Sequence, residues 1–101
     1  MDFKVIFHEL FIDDLERIVR SVAAHNPAAA QKLGEIIINT CEGLRFFPER
    51  HPRLRERQGI RRFIVRKYFK VFYHIDRETK RVQILRCWDG RREIDPTFPR
   101  V

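Results

Sequence analysis

Apolar residues in the first quarter of the chain recur at the spacing of a helix, which predicts an amphipathic helix over about residues 9–24. The apolar stripe consists of Phe11, Leu15, Ile18 and Val22, with Ile12 and Val19 beside it. The charged residues assigned to the opposite, polar side are Asp13, Asp14, Glu16, Arg17 and Arg20. The two aspartates near the start of this helix suit the positive end of its dipole.

A second helix is predicted from residue 27 to about residue 46. Asn26 suits the N-cap, and Pro27 suits the first helical position, where no backbone N–H is needed. Pro48 ends the pattern. The link between the two helices is short, so they should form an antiparallel hairpin whose apolar stripe needs a sheet to cover it.

Short runs of β-branched and aromatic residues predict four strands: one over residues 3–8, and three consecutive antiparallel strands over residues 60–66, 69–75 and 81–88. Residues 48–59 are predicted to be a loop. The order is therefore β-α-α-β-β-β in a single α+β domain over residues 1–101, an antiparallel sheet with the helical hairpin on one face. The other face, which includes Lys70 and His74, is expected to be partly open.

Charge is unevenly distributed. Residues 1–50 hold 6 Lys and Arg against 8 Asp and Glu, whereas residues 51–101 hold 15 against 6. A basic second half favours an anionic partner, either nucleic acid or an acidic protein segment. The alternative is a solvated basic face that only aids solubility.

Other features of the sequence narrow the class of protein. There is neither a run of eighteen apolar residues nor a signal-peptide pattern, so we expect a cytoplasmic protein with no membrane partner. Cys41 and Cys87 lie in apolar runs without CxxC spacing. We expect both to be reduced and apolar, and we expect neither a metal nor a cofactor.

Two C-terminal segments, RKYFKVFYHID and VQILRCWDGRREI, carry the most specific pattern. They resemble the RelE/ParE superfamily of type II toxins, in which an aromatic-rich strand is followed by a strand end similar to ILRVLHGRRD. Earlier features of the sequence agree with this resemblance: Asp14-Leu15, NPAAAQKL, and Leu44 with Phe47-Pro48-Glu49.

The resemblance implies a growth-inhibiting toxin that a cognate antitoxin silences within a hetero-oligomer. In the RelE branch the toxin cuts mRNA in the ribosomal A site, and in the ParE branch it poisons DNA gyrase. RelE-type cleavage uses no metal but needs groups that transfer protons. At the positions where the RelE pattern has its cleavage residues, this chain has Arg61, Phe63, Lys70, Arg92 and Phe98.

Phe63 and Phe98 cannot transfer protons, so the resemblance favours the ParE branch, with DNA gyrase as the target. The first alternative is a ribosome-dependent mRNA endonuclease with a divergent site built on Lys70, His74 and Arg92. The second alternative is a degenerate toxin that binds only its antitoxin.

Five basic residues are candidates for target binding: Lys70, Arg86, Arg91, Arg92 and Arg61. Arg86 either shares the open face with Lys70 or pairs with an acid on the helices. Arg91 and Arg92 either contact an anion or form salt bridges with nearby acids, which are Asp89, Glu93 and Asp95. Edge strands and exposed apolar residues are expected to serve the antitoxin.

Overall fold

The computed structural model describes residues 2–92 and 94–101 and has the predicted α+β class and element order. Two helices, α1 (Glu9–Ala23) and α2 (Pro27–Glu42), pack on a sheet of β1 (Lys4–Phe7), β2 (Arg61–Val65), β3 (Phe69–Asp76) and β4 (Arg81–Asp89). Two short 3-10 helices follow α2, at Gly43–Arg45 and Pro48–Arg50. None of the helices within the described residues is long and apolar enough to cross a membrane.

Side chains cap the start of each α-helix. The Nδ1 atom of His8 accepts a hydrogen bond from the N–H of Leu10 at 3.0 Å, and Oδ1 of Asn26 accepts one from the N–H of Ala29 at 3.1 Å. Pro27 stands at the first turn of α2, as predicted. The short link at residues 24–26 folds the two helices into a hairpin.

The strand order in the sheet is β1-β4-β3-β2. The pairs β2–β3 and β3–β4 are antiparallel, which confirms the prediction for the last three strands. β1 instead pairs in parallel with β4, so the sheet is mixed rather than wholly antiparallel. Because helices rather than a hairpin turn follow β1, its direction is not fixed by a tight turn to its neighbour.

A β-bulge interrupts the alternation of side chains along β4. Phe72 lies opposite Arg86 and Tyr73 lies opposite Ile84, so Leu85 is an extra residue in β4. Ile84 is buried on the helix face of the sheet, and Leu85 is buried on the other face. After the bulge the alternation along β4 is shifted by one residue, so Arg86 lies opposite Phe72 on the same face as Lys70, whereas Cys87 lies opposite Val71 on the helix face.

The larger core lies between the helices and the sheet. It includes Phe11, Leu33, Ile37, Cys41, Leu44, Phe63, Val65, Phe69, Val71, Tyr73, Val82, Ile84 and Cys87. A smaller cluster of Ile60, Phe72 and Leu85 is buried on the other face, beneath the partly buried Leu54 and Phe98. The face predicted to be partly open is therefore partly covered by the loop before β2 and by the C-terminal segment.

Candidate functional site

The guanidinium of Arg86 is buried against α1. Its Nε and Nη2 donate hydrogen bonds to Oδ2 and Oδ1 of Asp14 at 2.7 and 2.9 Å, and its Nη1 donates one to the carbonyl oxygen of Thr97 at 2.9 Å. The bond to Asp14 raises the pKa of Arg86, so this guanidinium stays charged. Arg86 therefore pairs with a helix acid, which was one of its two predicted alternatives, and it also lies opposite Phe72 on the same face of the sheet as Lys70.

Asp14 also covers an open edge of β4. β1 ends at Phe7, opposite Ile84, so the following part of β4 has no strand neighbour on that side. There Oδ2 of Asp14 accepts a hydrogen bond from the N–H of Cys87 at 3.1 Å. This single carboxylate therefore joins α1 to the end of β4 through one side chain and one backbone group.

The assignment of Asp14 to the polar side of α1 was wrong, since its side chain is only 1% exposed. Asp14 follows Phe11 by three residues and precedes Ile18 by four, so it lies within the apolar stripe. That spacing is the signal by which the sequence could have identified it.

Arg91 forms the ion pair that was one of its two predicted alternatives. Its Nη2 lies 2.7 Å from Oδ2 of Asp89, and its Nε lies 2.9 Å from Oδ1. The hydrogen bond from Arg91 lowers the pKa of Asp89. The guanidinium carbon of Arg91 also lies 4.2 Å from the ring centroid of Tyr68, a cation–π contact.

Arg92 and Lys70 lie beside Trp88. The guanidinium carbon of Arg92 is 4.0 Å from the indole centroid, and Lys70 faces Trp88 across the strands. Nζ of Lys70 is 3.3 Å from Oδ1 of Asp95, and the lysine side chain is 21% exposed. Within the described residues Arg92 has no carboxylate at salt-bridge distance; Glu93, one of its predicted partners, lies outside them. We call Lys70, Trp88, Arg91 and Arg92 the cationic patch.

Gly90 fixes the geometry of the cationic patch. Its N–H donates to the carbonyl oxygen of Tyr68 at 2.7 Å. A Cβ atom at Gly90 would lie 2.5 Å from that oxygen and 3.1 Å from Cε of Lys70, so the close approach of these two segments needs a residue without a side chain.

Arg61 lies outside the cationic patch. Its Nη1 donates hydrogen bonds to the carbonyl oxygens of His51 and Glu49 at 2.7 and 3.2 Å. This side chain therefore ties β2 to the segment that follows α2.

His74 is also separate from the cationic patch. Its half-buried ring lies with Nδ1 2.8 Å from the carbonyl oxygen of Gly59, which fixes a proton on Nδ1. His74 is four residues along β3 from Lys70, roughly 13 Å at the rise of a strand. The three residues proposed for a nuclease site, Lys70, His74 and Arg92, are therefore not brought together.

The aromatic side chains at the RelE positions are packing residues. Phe63 is 4% exposed within the larger core, and the ring of Phe98 packs edge-on against Phe72 with centroids 5.1 Å apart. The hydroxyl of the buried Tyr73 donates to the carbonyl oxygen of Pro48 at 2.5 Å, and burial raises the pKa of Tyr73 to about 12. Neither Phe63, Phe98 nor Tyr73 offers a proton to the cationic patch.

Sequence reasoning missed Tyr68 as a candidate. This half-buried residue lies beneath Arg91, and its ring also contacts Phe69 with centroids 4.7 Å apart. Its position in the tight turn before β3 gave no sign of this, because the contact depends on how the end of β4 folds back over that turn.

The sequence matches the family described as the ParE toxin of the type II toxin–antitoxin system parDE over residues 5–94. The fold is similar to a structure of the chromosomal ParDE toxin–antitoxin system from P. aeruginosa, with a TM-score of 0.75, 20% identity, and coverage of 86% of this chain and 95% of that chain. It is also similar to the RelBE2 toxin–antitoxin complex from Mycobacterium tuberculosis, with a TM-score of 0.61, 23% identity, and coverage of 88% and 92%. No curated protein sequence matches the chain.

Proposed function

Because this chain belongs to the ParE toxin family of type II toxin–antitoxin systems, we propose that it arrests growth by binding DNA gyrase. A cognate antitoxin silences it within a toxin–antitoxin hetero-oligomer. In this proposal the chain acts by binding, and the cationic patch is its target-binding surface.

The observation that carries the proposal is that neither the RelE positions nor His74 places a proton-transfer group beside Lys70 and Arg92. Phe63 lies in the core, Phe98 packs on Phe72, and His74 is bonded to a backbone carbonyl well away from Lys70. Cleavage of RNA without a metal needs a general base and a general acid within hydrogen-bond reach of the reacting atoms. Binding needs only exposed, ordered contact groups.

The cationic patch suits protein binding because tryptophan and arginine are the side chains that most often dominate binding energy at protein interfaces. Arg92 is exposed and its guanidinium lies over the indole of Trp88, so less conformational freedom remains to be lost on binding. Arg86 and Arg61 act indirectly in this proposal, since their contacts hold β4 and the segment after α2 in place.

A gyrase supercoiling reaction with the purified protein tests the proposal. We expect inhibition by the wild-type protein, and about tenfold weaker inhibition by Arg92→Ala and Lys70→Ala, equivalent to roughly 1.4 kcal/mol each. Arg20→Ala is the matched control, because Arg20 is an exposed cation of α1 outside the cationic patch. Equal inhibition by all four proteins would exclude the patch as the gyrase contact.

Ribosome-dependent mRNA cleavage is the second candidate, and Tyr68 is the observation that favours it, because it places a phenol ring next to Arg91. Primer extension on mRNA from a translating extract tests for cleavage. Codon-positioned cuts that Tyr68→Phe abolishes, together with undisturbed supercoiling, would contradict gyrase binding. If the protein neither cleaves mRNA nor inhibits gyrase but still binds its antitoxin, it is a degenerate toxin.

A further inference from the structure

Residues 52–62 form a short, arginine-rich hairpin at one edge of the sheet. Arg53 pairs antiparallel with Arg61, and the N–H of Leu54 donates a hydrogen bond to the carbonyl oxygen of Ile60 at 2.8 Å. Because β2 is the last strand in the order β1-β4-β3-β2, this hairpin forms the outer edge of the sheet. We call residues 52–62 the arginine hairpin.

Contacts with the sheet and with the C-terminal segment hold the arginine hairpin in place. Leu54 packs on the smaller buried cluster. Nδ1 of His74 lies 2.8 Å from the carbonyl oxygen of Gly59, which has a φ of 85°, a conformation that suits glycine. The guanidinium carbon of Arg57 lies 5.5 Å from the ring centroid of Phe98. The hairpin is therefore an ordered surface, and its arginines project from a fixed backbone.

The arginine hairpin carries a high density of positive charge. Its charged residues are five arginines and one glutamate: Arg53, Arg55, Arg57, Arg61, Arg62 and Glu56. Arg61 donates hydrogen bonds to backbone carbonyl oxygens. Within the described residues, the other four arginines have no carboxylate at salt-bridge distance. Three of them, Arg53, Arg55 and Arg57, are exposed. The hairpin thus presents positive charge that the described part of the protein does not neutralise.

The arginines lie on both faces of the hairpin. Arg53 pairs with Arg61, which lies opposite Tyr73 on the helix face of the sheet. Arg62 lies opposite Phe72 on the other face. The major groove of B-DNA admits a two-stranded β-ribbon, and a phosphate backbone runs along each side of that groove. Guanidinium groups on both faces of a ribbon therefore match phosphates on both sides of a groove.

The side chains between the arginines favour duplex DNA over other polyanions. Single-stranded nucleic acid stacks its bases on exposed aromatic rings, whereas Phe98, the ring beside the hairpin, is half-buried against Arg57. An acidic peptide needs apolar anchor points, whereas Leu54 is turned into the buried cluster and Glu56 and Gln58 are exposed. A phosphate backbone needs neither feature, because it binds through cations and hydrogen-bond donors.

We propose that the arginine hairpin binds the phosphate backbone of duplex DNA without reading its sequence. Arg53, Arg55 and Arg57 contact phosphates, since the guanidinium fork forms bidentate hydrogen bonds with phosphate oxygens. This surface adjoins the start of β2, whereas Lys70 of the cationic patch lies opposite Ile64 near the end of β2. The inference goes beyond gyrase binding and does not depend on it. If both proposals hold, one toxin molecule contacts gyrase and the DNA on which gyrase acts.

Fluorescence anisotropy of a short labelled duplex of arbitrary sequence tests the proposal on the full-length protein. We expect Arg53→Gln/Arg55→Gln/Arg57→Gln to weaken binding about 30-fold at about 50 mM salt. The slope of log affinity against log salt concentration should decrease in magnitude by about 2–3, because each lost phosphate contact removes about 0.9. A duplex of scrambled sequence should bind equally well, because backbone contacts carry no sequence information.

Two matched variants separate DNA contact from a general charge effect and from a folding defect. The first removes the same charge at three exposed cations outside the hairpin: Lys4→Gln/Arg20→Gln/Lys32→Gln. It should change the affinity less than about threefold and leave the salt slope within about one contact of the wild-type value. The second, Arg53→Lys/Arg55→Lys/Arg57→Lys, keeps the charge and should bind within about tenfold of the wild type. Circular dichroism and the urea midpoint show whether each variant is folded.

The outcomes distinguish this proposal from gyrase binding. If the wild-type protein does not bind the duplex, or the folded glutamine variant of the hairpin binds it as tightly as the control does, the DNA surface is overturned and the gyrase proposal stands. Polyglutamate or a single-stranded oligonucleotide that binds more tightly than the duplex also overturns it. If the wild-type protein binds the duplex through the hairpin but does not inhibit gyrase, the DNA surface stands and the gyrase proposal fails.

Discussion

Asp14 and Arg86, which are 72 residues apart in the sequence, form a buried bidentate ion pair between α1 and β4. The carboxylate also accepts the N–H of Cys87. The pair thereby fixes the helical hairpin to the strand that ends in the cationic patch.

Removing one member of this pair should destabilise the fold strongly, because the other charge would remain buried without a partner. We expect Asp14→Ala or Arg86→Ala to lower the free energy of unfolding by about 3–5 kcal/mol. Urea denaturation followed by circular dichroism measures this. Arg17→Ala, which removes only the 61% exposed neighbour of Asp14, should change the free energy of unfolding by less than about 1 kcal/mol. A similarly small effect of Asp14→Ala would show that the pair is not important for stability.

Two glycines should respond in opposite ways to alanine. Gly90→Ala should destabilise the fold by about 1–3 kcal/mol, because its Cβ would clash with the backbone oxygen of Tyr68. Gly43→Ala should stabilise it by up to about 1 kcal/mol, because Gly43 has helical backbone angles and a Cβ there meets nothing within 4 Å. Urea midpoints of the two variants test the contrast, and a stabilising Gly90→Ala would refute the close approach.

The Asp89–Arg91 pair should make stability depend on acid pH. Arg91 lowers the pKa of the Asp89 carboxyl in the folded state, so the unfolded state takes up its proton first as the pH falls. The contribution of the Asp89–Arg91 pair to the free energy of unfolding is complete above the unfolded-state pKa of about 3.9. It is lost as the pH falls through the lower pKa that Asp89 has in the folded state. Asp89→Asn should therefore lose less stability than the wild type between pH 6 and pH 3. Identical pH profiles of the urea midpoint for the two proteins would contradict this.

Both thiols should be unreactive in the folded protein. Cys41 and Cys87 are free and buried, and burial raises the pKa of each thiol, that of Cys87 to about 12. Because the thiolate is the reactive form, an aromatic disulfide reagent should label both cysteines only as fast as the protein opens. Labelling followed by absorbance should become rapid above the urea midpoint. Rapid labelling without urea would indicate that one of the two sites is open in the native state.

The sequence by itself determined the element order and the family. The spacing of apolar residues in 9–24, the Asn26-Pro27 start of α2 and the alternation in β3 are local signals, and each predicted the first residue of its element. The predicted end of α2 at about residue 46 was wrong by four residues, because a 3-10 turn at Gly43–Arg45 follows the helix. The C-terminal motif and the lack of proton-transfer groups at the RelE positions could also be read from residue identity, because they depend only on which atoms a side chain carries.

Only the tertiary structure decided which cations belong to one surface. Lys70, Arg91 and Arg92 gather around Trp88 and the Gly90 turn, whereas Arg86 is buried on Asp14 and Arg61 binds backbone carbonyls. The bulge at Leu85 places Arg86 on the same face of the sheet as Lys70, and the early end of β1 leaves the edge of β4 open, so that Asp14 of α1 reaches Arg86 there. Both depend on pairing between distant segments, which a pattern of neighbouring residues does not encode.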